Sequence, residues 1–339
     1  MSRLLLLVLL CGLATLALPA RGATTCTLSS PTLAFGPVSS GLVDTSATFS
    51  VTCTTGAVAL LANARVTFCL GLPAGGGGTT ISPWRTMANS FGDRLNYQIY
   101  RDAARTTVIG SGAASSPAWA TFQMQYPVPL LGGSGTVSFT LYGRYPASQV
   151  LSAGTFSSAL AATFQYAYNE PLLGTPAYPA TCLLQPPTVT GNSNLQPAAM
   201  TLTATATVNP ACGAYVTAPM DFGVNTGAVA SNIDRTARFS LTCVNRSPFQ
   251  VGLDNGSHAD GAGNRRMRDG SSGALLPYEL YRDAARTQRW GNVLNSTTVS
   301  GTGTGAAQDL TIYGRVPPAA GTSTPPGAYT DTVTVTITY

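Results

Sequence analysis

The chain runs to 339 residues with only 9% charged side chains, and all 18 of its basic residues are arginine. A formal net charge of +5 spread this thinly excludes a nucleic-acid surface; Arg265, Arg266 and Arg268, the one basic cluster, sit beside Asp269 and read as a solvated loop. The single histidine, His258, lies in the turn-rich DNGSHADGAGN, so no Ser-His-Asp or Cys-His set can be assembled. No phosphate-binding glycine loop precedes a helix, and the aspartates near His258 lack the dense spacing, ending in Glu, of a calcium loop. No enzymatic activity, cofactor or metal is therefore expected.

Residues 1–23 carry Arg3, an apolar run from Leu4 to Leu18, and small residues after it, the pattern of a secretory signal peptide cleaved between Ala20 and Thr24. The run of about 15 residues is shorter than the roughly 20 a membrane span needs. Cleavage removes Cys11 and leaves Cys26, Cys53, Cys69, Cys182, Cys212 and Cys243, an even set that predicts disulfides in an exported chain.

Downstream, the sequence repeats itself. FSVTC ending at Cys53, YQIYRDAART (Tyr97–Thr106), LYGRYP (Leu141–Pro146) and AGTFSSALAATFQY (Ala153–Tyr166) form the first series. FSLTC ending at Cys243, YELYRDAART (Tyr278–Thr287), IYGRVP (Ile312–Pro317) and PGAYTDTVTVTITY (Pro326–Tyr339) follow in the same order. Such a repeat is a duplicated domain. It pairs Cys26 with Cys53 and Cys212 with Cys243 as equivalent bonds, and leaves Cys69 to Cys182. The closing blocks alternate strictly, with Val333, Val335, Ile337 and Tyr339 on one face and threonines on the other. Short strands between Gly, Pro and Asn turns, without a helical period, predict an all-β chain of two tandem sandwiches. The first spans 24–182, a linker 183–198, and the second 199–339. Met200, Leu202, Ala204, Ala206 and Val208 also alternate, in a strand that the first copy lacks before Cys26. It is either an internal strand completing the first sandwich or an ordinary first strand of the second.

The copies differ in length. Cys53 to Tyr100 spans 47 positions against 38 for Cys243 to Tyr281, and Tyr100 to Tyr142 spans 42 against 32 for Tyr281 to Tyr313. The two longer regions of the first copy hold Ile81, Trp84 and Met87, and then Trp119, Phe122, Met124, Val128, Leu130 and Leu131. Apolar loops of this kind suit exposed fingers that bind a surface. The alternatives are that they fold into the core, with 121–127 a further strand, or that a tryptophan stacks on a sugar.

The blocks from Arg265 to Tyr339, including Trp290-Gly291, LTIYGRVP and GAYTDTVTVTITY, resemble the spore coat protein U (SCPU) domain, a family that includes pilins of archaic (Csu-type) chaperone–usher pili. The first copy resembles a diverged member, with Ile109-Gly110 in place of Trp290-Gly291. With its apolar loops, the pair resembles the two-domain tip adhesins of such pili. The resemblance implies immunoglobulin-like, pilin-type sandwiches, the second lacking one strand that is supplied in trans along Val333, Val335, Ile337 and Tyr339. It implies as partners a periplasmic chaperone, an outer-membrane usher, the next pilin subunit, and an abiotic or host surface. It also implies export through the periplasm to a pilus tip, with a role in attachment and biofilm formation. A chain with no free extension before Cys26 is expected to accept a strand without offering one. The other reading is a secreted coat or matrix protein without adhesive specificity.

Overall fold

The computed structural model describes residues 24–56, 62–169, 174–182, 196–318 and 324–339; the signal segment and most of the 183–198 linker lie outside the described residues. Every regular element among the described residues is a β-strand. The chain forms two compact units, one of residues up to Gln149 with Thr155–Thr207, the other of Val150–Gly154 with Val208–Tyr339. This division falls near 207, whereas 199 was the expected start of the second domain, because the alternating strand packs with the first unit.

In the first unit the strands are β1 (Thr24–Leu28), β2 (Thr32–Pro37), β3 (Val43–Thr55), β4 (Ala62–Gly71) and β5 (Arg85–Ala88). They continue as β6 (Arg94–Tyr100), β7 (Ala120–Val128), β8 (Gly133–Tyr145), β9 (Gly154–Asn169) and β10 (Gln196–Val208). Their order is β1-β3-β8-β6-β5-β9-β10-β2, with β4 bonded to β7 and β9. Alternation sets the two faces: Phe49, Val51 and Cys53 are buried, while Thr52 on the opposite face meets Thr136 across the sheet at 2.8 Å. Phe49, Phe68, Phe122 and Phe139 pack ring to ring at the centre, with centroids as close as 4.6 Å.

The second unit has β11 (Cys212–Thr217), β12 (Ile233–Cys243), β13 (Pro248–Leu253), β14 (Arg266–Asp269) and β15 (Leu275–Pro277). After these come β16 (Glu279–Tyr281), β17 (Val299–Thr302), β18 (Ala307–Val316), β19 (Tyr329–Thr330) and β20 (Val335–Thr338). Its sheets are β11-β12-β18-β16, β17-β13-β20 and β15-β14-β19. The duplication is visible in register: Cys26 lies opposite Cys53 on β1 and β3, and Cys212 opposite Cys243 on β11 and β12. Both pairs are bonded, and Cys69–Cys182 is bonded as well.

The most conspicuous repeated words are structural. Asp102 accepts the amides of Thr106 and Thr107 at 2.9 and 2.7 Å, and Asp283 accepts those of Thr287 and Gln288. The turn places Arg105 and Arg286 at φ of 57° and 56°. That conformation costs about 1–2 kcal/mol for a side chain with a Cβ. Each guanidinium offsets the cost by donating back to the sheet, Arg105 to the Gly143 carbonyl and Arg286 to the Gly314 carbonyl, both at 3.1 Å. The arginine of the YGR word forms a two-pronged pair, Arg144 with Asp44 and Arg315 with Asp234. Its glycine gives room: a Cβ on Gly143 would lie 2.7 Å from Leu33, and one on Gly314 would lie 2.0 Å from the Met220 sulfur. Leu33 and Met220 are thereby structural equivalents.

These carboxylates make stability acid-sensitive. The bonds from Arg144 and Arg315 hold Asp44 and Asp234 below the usual range, and the Thr106 amide foremost draws Asp102 down to about 2. Folded values below the unfolded value of about 3.9 mean that the stabilisation is complete above that pH and lost as pH falls through the folded values. The urea midpoint is expected to hold from neutral pH to about 4 and then to fall steeply. Asp44→Asn with Asp234→Asn is expected to flatten that fall; an unchanged acid limb would refute the assignment.

Candidate functional site

β10 lies between β9 and β2 in the first unit. It runs parallel to β2, with Thr203 opposite Thr32, Ala204 opposite Leu33 and Thr205 opposite Ala34. Met200, Leu202, Ala204, Ala206 and Val208 are all at most 3% exposed, while the threonines between them face outward. Burial of Met200, Leu202 and Val208 contributes on the order of 1.5–3 kcal/mol each. The strand also bonds both of its neighbours, so no ladder edge is left open there.

In the second unit the corresponding position is a groove. On one side stands the segment around Met220 and Phe222, the counterparts of Leu33 and Phe35; on the other stand Tyr329, Val333 and Val335. Phe239, Leu253, Met267 and Leu280 form the floor of a cavity of about 510 Å³, and a second of about 780 Å³ continues it past Val229 and Ile233. The last strand differs between the two units. Leu160, Phe164 and Tyr166 of β9 are buried to within 2%, whereas Val333 and Ile337 are half-buried and Tyr339 is 55% exposed. The stretch is also interrupted, since β19 ends at Thr330 and β20 begins only at Val335. Val333 and Val335, expected along the strand-exchange edge, line this groove; Met220, Phe222, Met267 and Tyr278 line it as well, without having stood out in the sequence. The Phe35-Gly36 and Phe222-Gly223 pairs were the available signal.

The expected surface fingers are largely interior. Met87, Met124 and Val128 are buried, and Ile81, Trp84, Trp119 and Phe122 are half-buried. Residues 120–128 form β7, paired along its length with β4, which is why Phe122, Met124 and Tyr126 alternate. The Trp84 region is tied to the core by Gln98, whose Nε2 donates to the Ile81 and Pro83 carbonyls at 2.7 and 2.9 Å. Next to Trp84, the fully buried Arg85 donates to the carbonyls of Leu72, Pro73 and Ile109 and to Gln98. Burial pulls its guanidinium down to about 10, still a cation at neutral pH. Arg265, expected on a solvated loop, is instead fully buried; it makes the same bonds to Leu253, Asp254 and Trp290 but pairs with the carboxylate of Glu279.

Leu130 and Leu131 are different, at 54% and 90% exposure on the β7–β8 turn. The extra length of the first copy serves this end. Leu72 and Leu253 are equivalent, each donating its amide to the glycine at 110 or 291. From them to Tyr100 and Tyr281 the spacing is 28 positions in both copies. The additions therefore fall between Cys53 and Leu72 and between Gly110 and Tyr142, on either side of the β3–β4 and β7–β8 connections, where they extend the paired strands β3–β8 and β4–β7. They raise one end of the sandwich, where Thr55 lies opposite Gly133 and Ala62 opposite Val128.

A family model of the Spore Coat Protein U domain matches residues 13–163 and 198–336. Protein U of Myxococcus xanthus is 32% identical over 117 residues, which is 33% of this chain; the match covers 64% of that protein, less than two thirds of its length. Among solved structures, the chaperone–tip adhesion subunit pre-assembly complex CsuC–CsuE from archaic Csu pili of Acinetobacter baumannii aligns with a TM-score of 0.41 at 19% identity, over 93% of this chain and 100% of that one. The CupB6 tip adhesin of Pseudomonas aeruginosa aligns with a TM-score of 0.34 at 12% identity, over 92% and 93% of the two chains.

Leu202→Asp places a carboxylate at a position with no exposure and is expected to unfold the first unit while sparing the second. Limited proteolysis of the full chain, with fragments identified by mass, should show new cuts before residue 208 and none after it. Equal resistance in the variant would show that β10 is dispensable to that unit.

Proposed function

Since the chain belongs to the Spore Coat Protein U domain family, we propose that it is a non-enzymatic, two-domain subunit at the tip of a chaperone–usher pilus. One observation carries this reading: the same apolar face is covered by β10 in the first unit and open in the second. The family match begins at 198, so in sequence β10 is the leading strand of the second copy, yet it packs in the first unit. It acts as a donor strand that fusion has made intramolecular. The segment that would serve a neighbouring subunit is thus already occupied, and the second unit only accepts. Such a subunit ends a fibre.

An open groove exposes apolar side chains and unpaired backbone, and an added strand satisfies both. A periplasmic chaperone supplies it first; at the outer-membrane usher the extension of the next pilin replaces it. Three disulfides fit formation in an oxidising compartment during export to the cell surface.

The end of the first unit that carries the β7–β8 turn is the attachment surface, toward an abiotic or host surface and hence biofilm. Leu130 and Leu131 stand on the raised turn, away from the β5–β6 turn that carries Phe91. The β3–β4 and β9–Gly174 connections have their described ends, Thr55, Ala62, Asn169 and Gly174, at the same end.

Two measurements test the reading. A synthetic peptide of residues 199–208 added to the full chain should raise the unfolding temperature of the second unit, as a ligand of the folded state must. A scrambled peptide without alternation should not, and equal behaviour of the two would remove the acceptor groove. Separately, Leu130→Asp with Leu131→Asp should reduce retention of purified protein on polystyrene several-fold without moving either unfolding transition; undiminished retention would favour a coat or matrix role.

A further inference from the structure

The groove wall in the second unit carries a polar assembly that the first unit lacks. Asp331, within the interruption between β19 and β20, has a side chain only 2% exposed. One carboxylate oxygen receives the Ser257 amide and meets the His258 Nδ1, both at 3.0 Å; the other receives the Tyr278 hydroxyl at 2.7 Å. Burial, and then this bond, pushes the Tyr278 phenol well above its ordinary range. Beside it, the Asp254 carboxylate receives the Thr334 amide at 2.9 Å, and the Asp254 amide donates to the Thr334 carbonyl at 3.1 Å. The Ser257 amide also reaches the Thr332 carbonyl at 3.1 Å. Residues 331–334, which make no regular ladder, are thus docked onto the 254–258 loop by two backbone bonds and by the carboxylates of Asp331 and Asp254.

The duplication supplies the control. Gly75 and Gly256 are equivalents, since a Cβ on either would strike the residue in question, Ser158 in one unit and Asp331 in the other. The same alignment sets Pro73 against Asp254, Gly76 against Ser257 and Gly77 against His258. In the first unit, Ser158 keeps only the Tyr97 hydroxyl at 2.9 Å and the Gly76 amide at 3.3 Å, and Pro73 has no amide to donate. There the last strand is continuous from Gly154 to Asn169 and is flanked by β10. A buried carboxylate is costly unless fully bonded. It appears in the copy whose wall has no flanking strand, and it is absent from the copy whose wall has one.

Resting on the acceptor reading above, we propose that Asp331 and Asp254 are positioning residues for strand uptake. They clamp 331–334 in an extended, docked form while the groove is empty, so that an incoming strand meets a formed edge. Once a strand is bonded along that edge, the clamp is redundant, as its absence from the first unit indicates.

The test uses the full chain, with and without saturating 199–208 peptide, as wild type, Asp331→Ser (the first unit's residue) and Asp331→Asn (which keeps the shape). In the empty protein, exchange of the amides from Thr332 to Ile337 is expected to quicken about tenfold or more in Asp331→Ser, the scale of a lost bond to a charged group. Association of the peptide should slow by a similar factor, with dissociation unchanged, and Asp331→Asn should fall between. In the filled protein all three should exchange alike. If the variants lose protection equally when empty and filled, or if peptide association is unaffected, the clamp is overturned and the acceptor groove stands. If the wild type binds no peptide, both readings fall together. Should Asp331→Ser not fold, the same comparison is made with Asp331→Asn and Asp254→Asn.

Discussion

The apolar stripe along the last strand of each copy poses one physical problem twice. Leu160, Phe164 and Tyr166 in the first unit, and Val333, Ile337 and Tyr339 in the second, present a hydrophobic face beside an edge of backbone donors and acceptors. Neither can be left in water without loss, because the face forgoes burial and an open edge templates unwanted pairing. In the first unit β10 resolves both at once, with its alternate side chains inside and its backbone bonded on each side. In the second, the corresponding position is an open groove among the described residues.

Much else follows from this asymmetry. The repeated YRDAART and YGR words, which attract attention first, build the same turn and arginine–aspartate pair in both units, and so bear on stability rather than on the difference in role. What differs is local. The first unit has a neutral Gln98 beside its buried arginine, a serine at 158 and a glycine-rich loop at 75–78; the second has Glu279, Asp331 and a loop with Ser257 and His258. Of these, Asp331 lines the open groove and bonds to the 254–258 loop. The extra residues of the first unit go instead into strand length, which lifts Leu130 and Leu131 to one end of the sandwich.

Much of the fold was legible in the residues themselves. Period-two alternation marked β9 and β10, and the repeat aligned the cysteines whose bonds join directly opposed residues in register. The alternation of Phe122, Met124 and Tyr126 already signalled a strand. Composition argued for a loop, because local hydrophobicity does not distinguish a side chain that meets solvent from one that meets β4. The Trp84 region misled for a related reason: its spacing matches the second copy once Leu72 and Leu253 are aligned, and that equivalence rests on hydrogen bonds to glycines far along the chain.

Strand identity, the duplication, the disulfide partners and the apolar faces reside in the order of residues, because alternation and cysteine spacing are properties of neighbours along the chain. Which unit receives β10 does not. Residues 199–208 follow the linker and precede Cys212, and their pattern would satisfy either sandwich. Only long-range pairing with β2 and β9, more than a hundred and fifty positions away at β2, commits the strand to the first unit and leaves the second groove open.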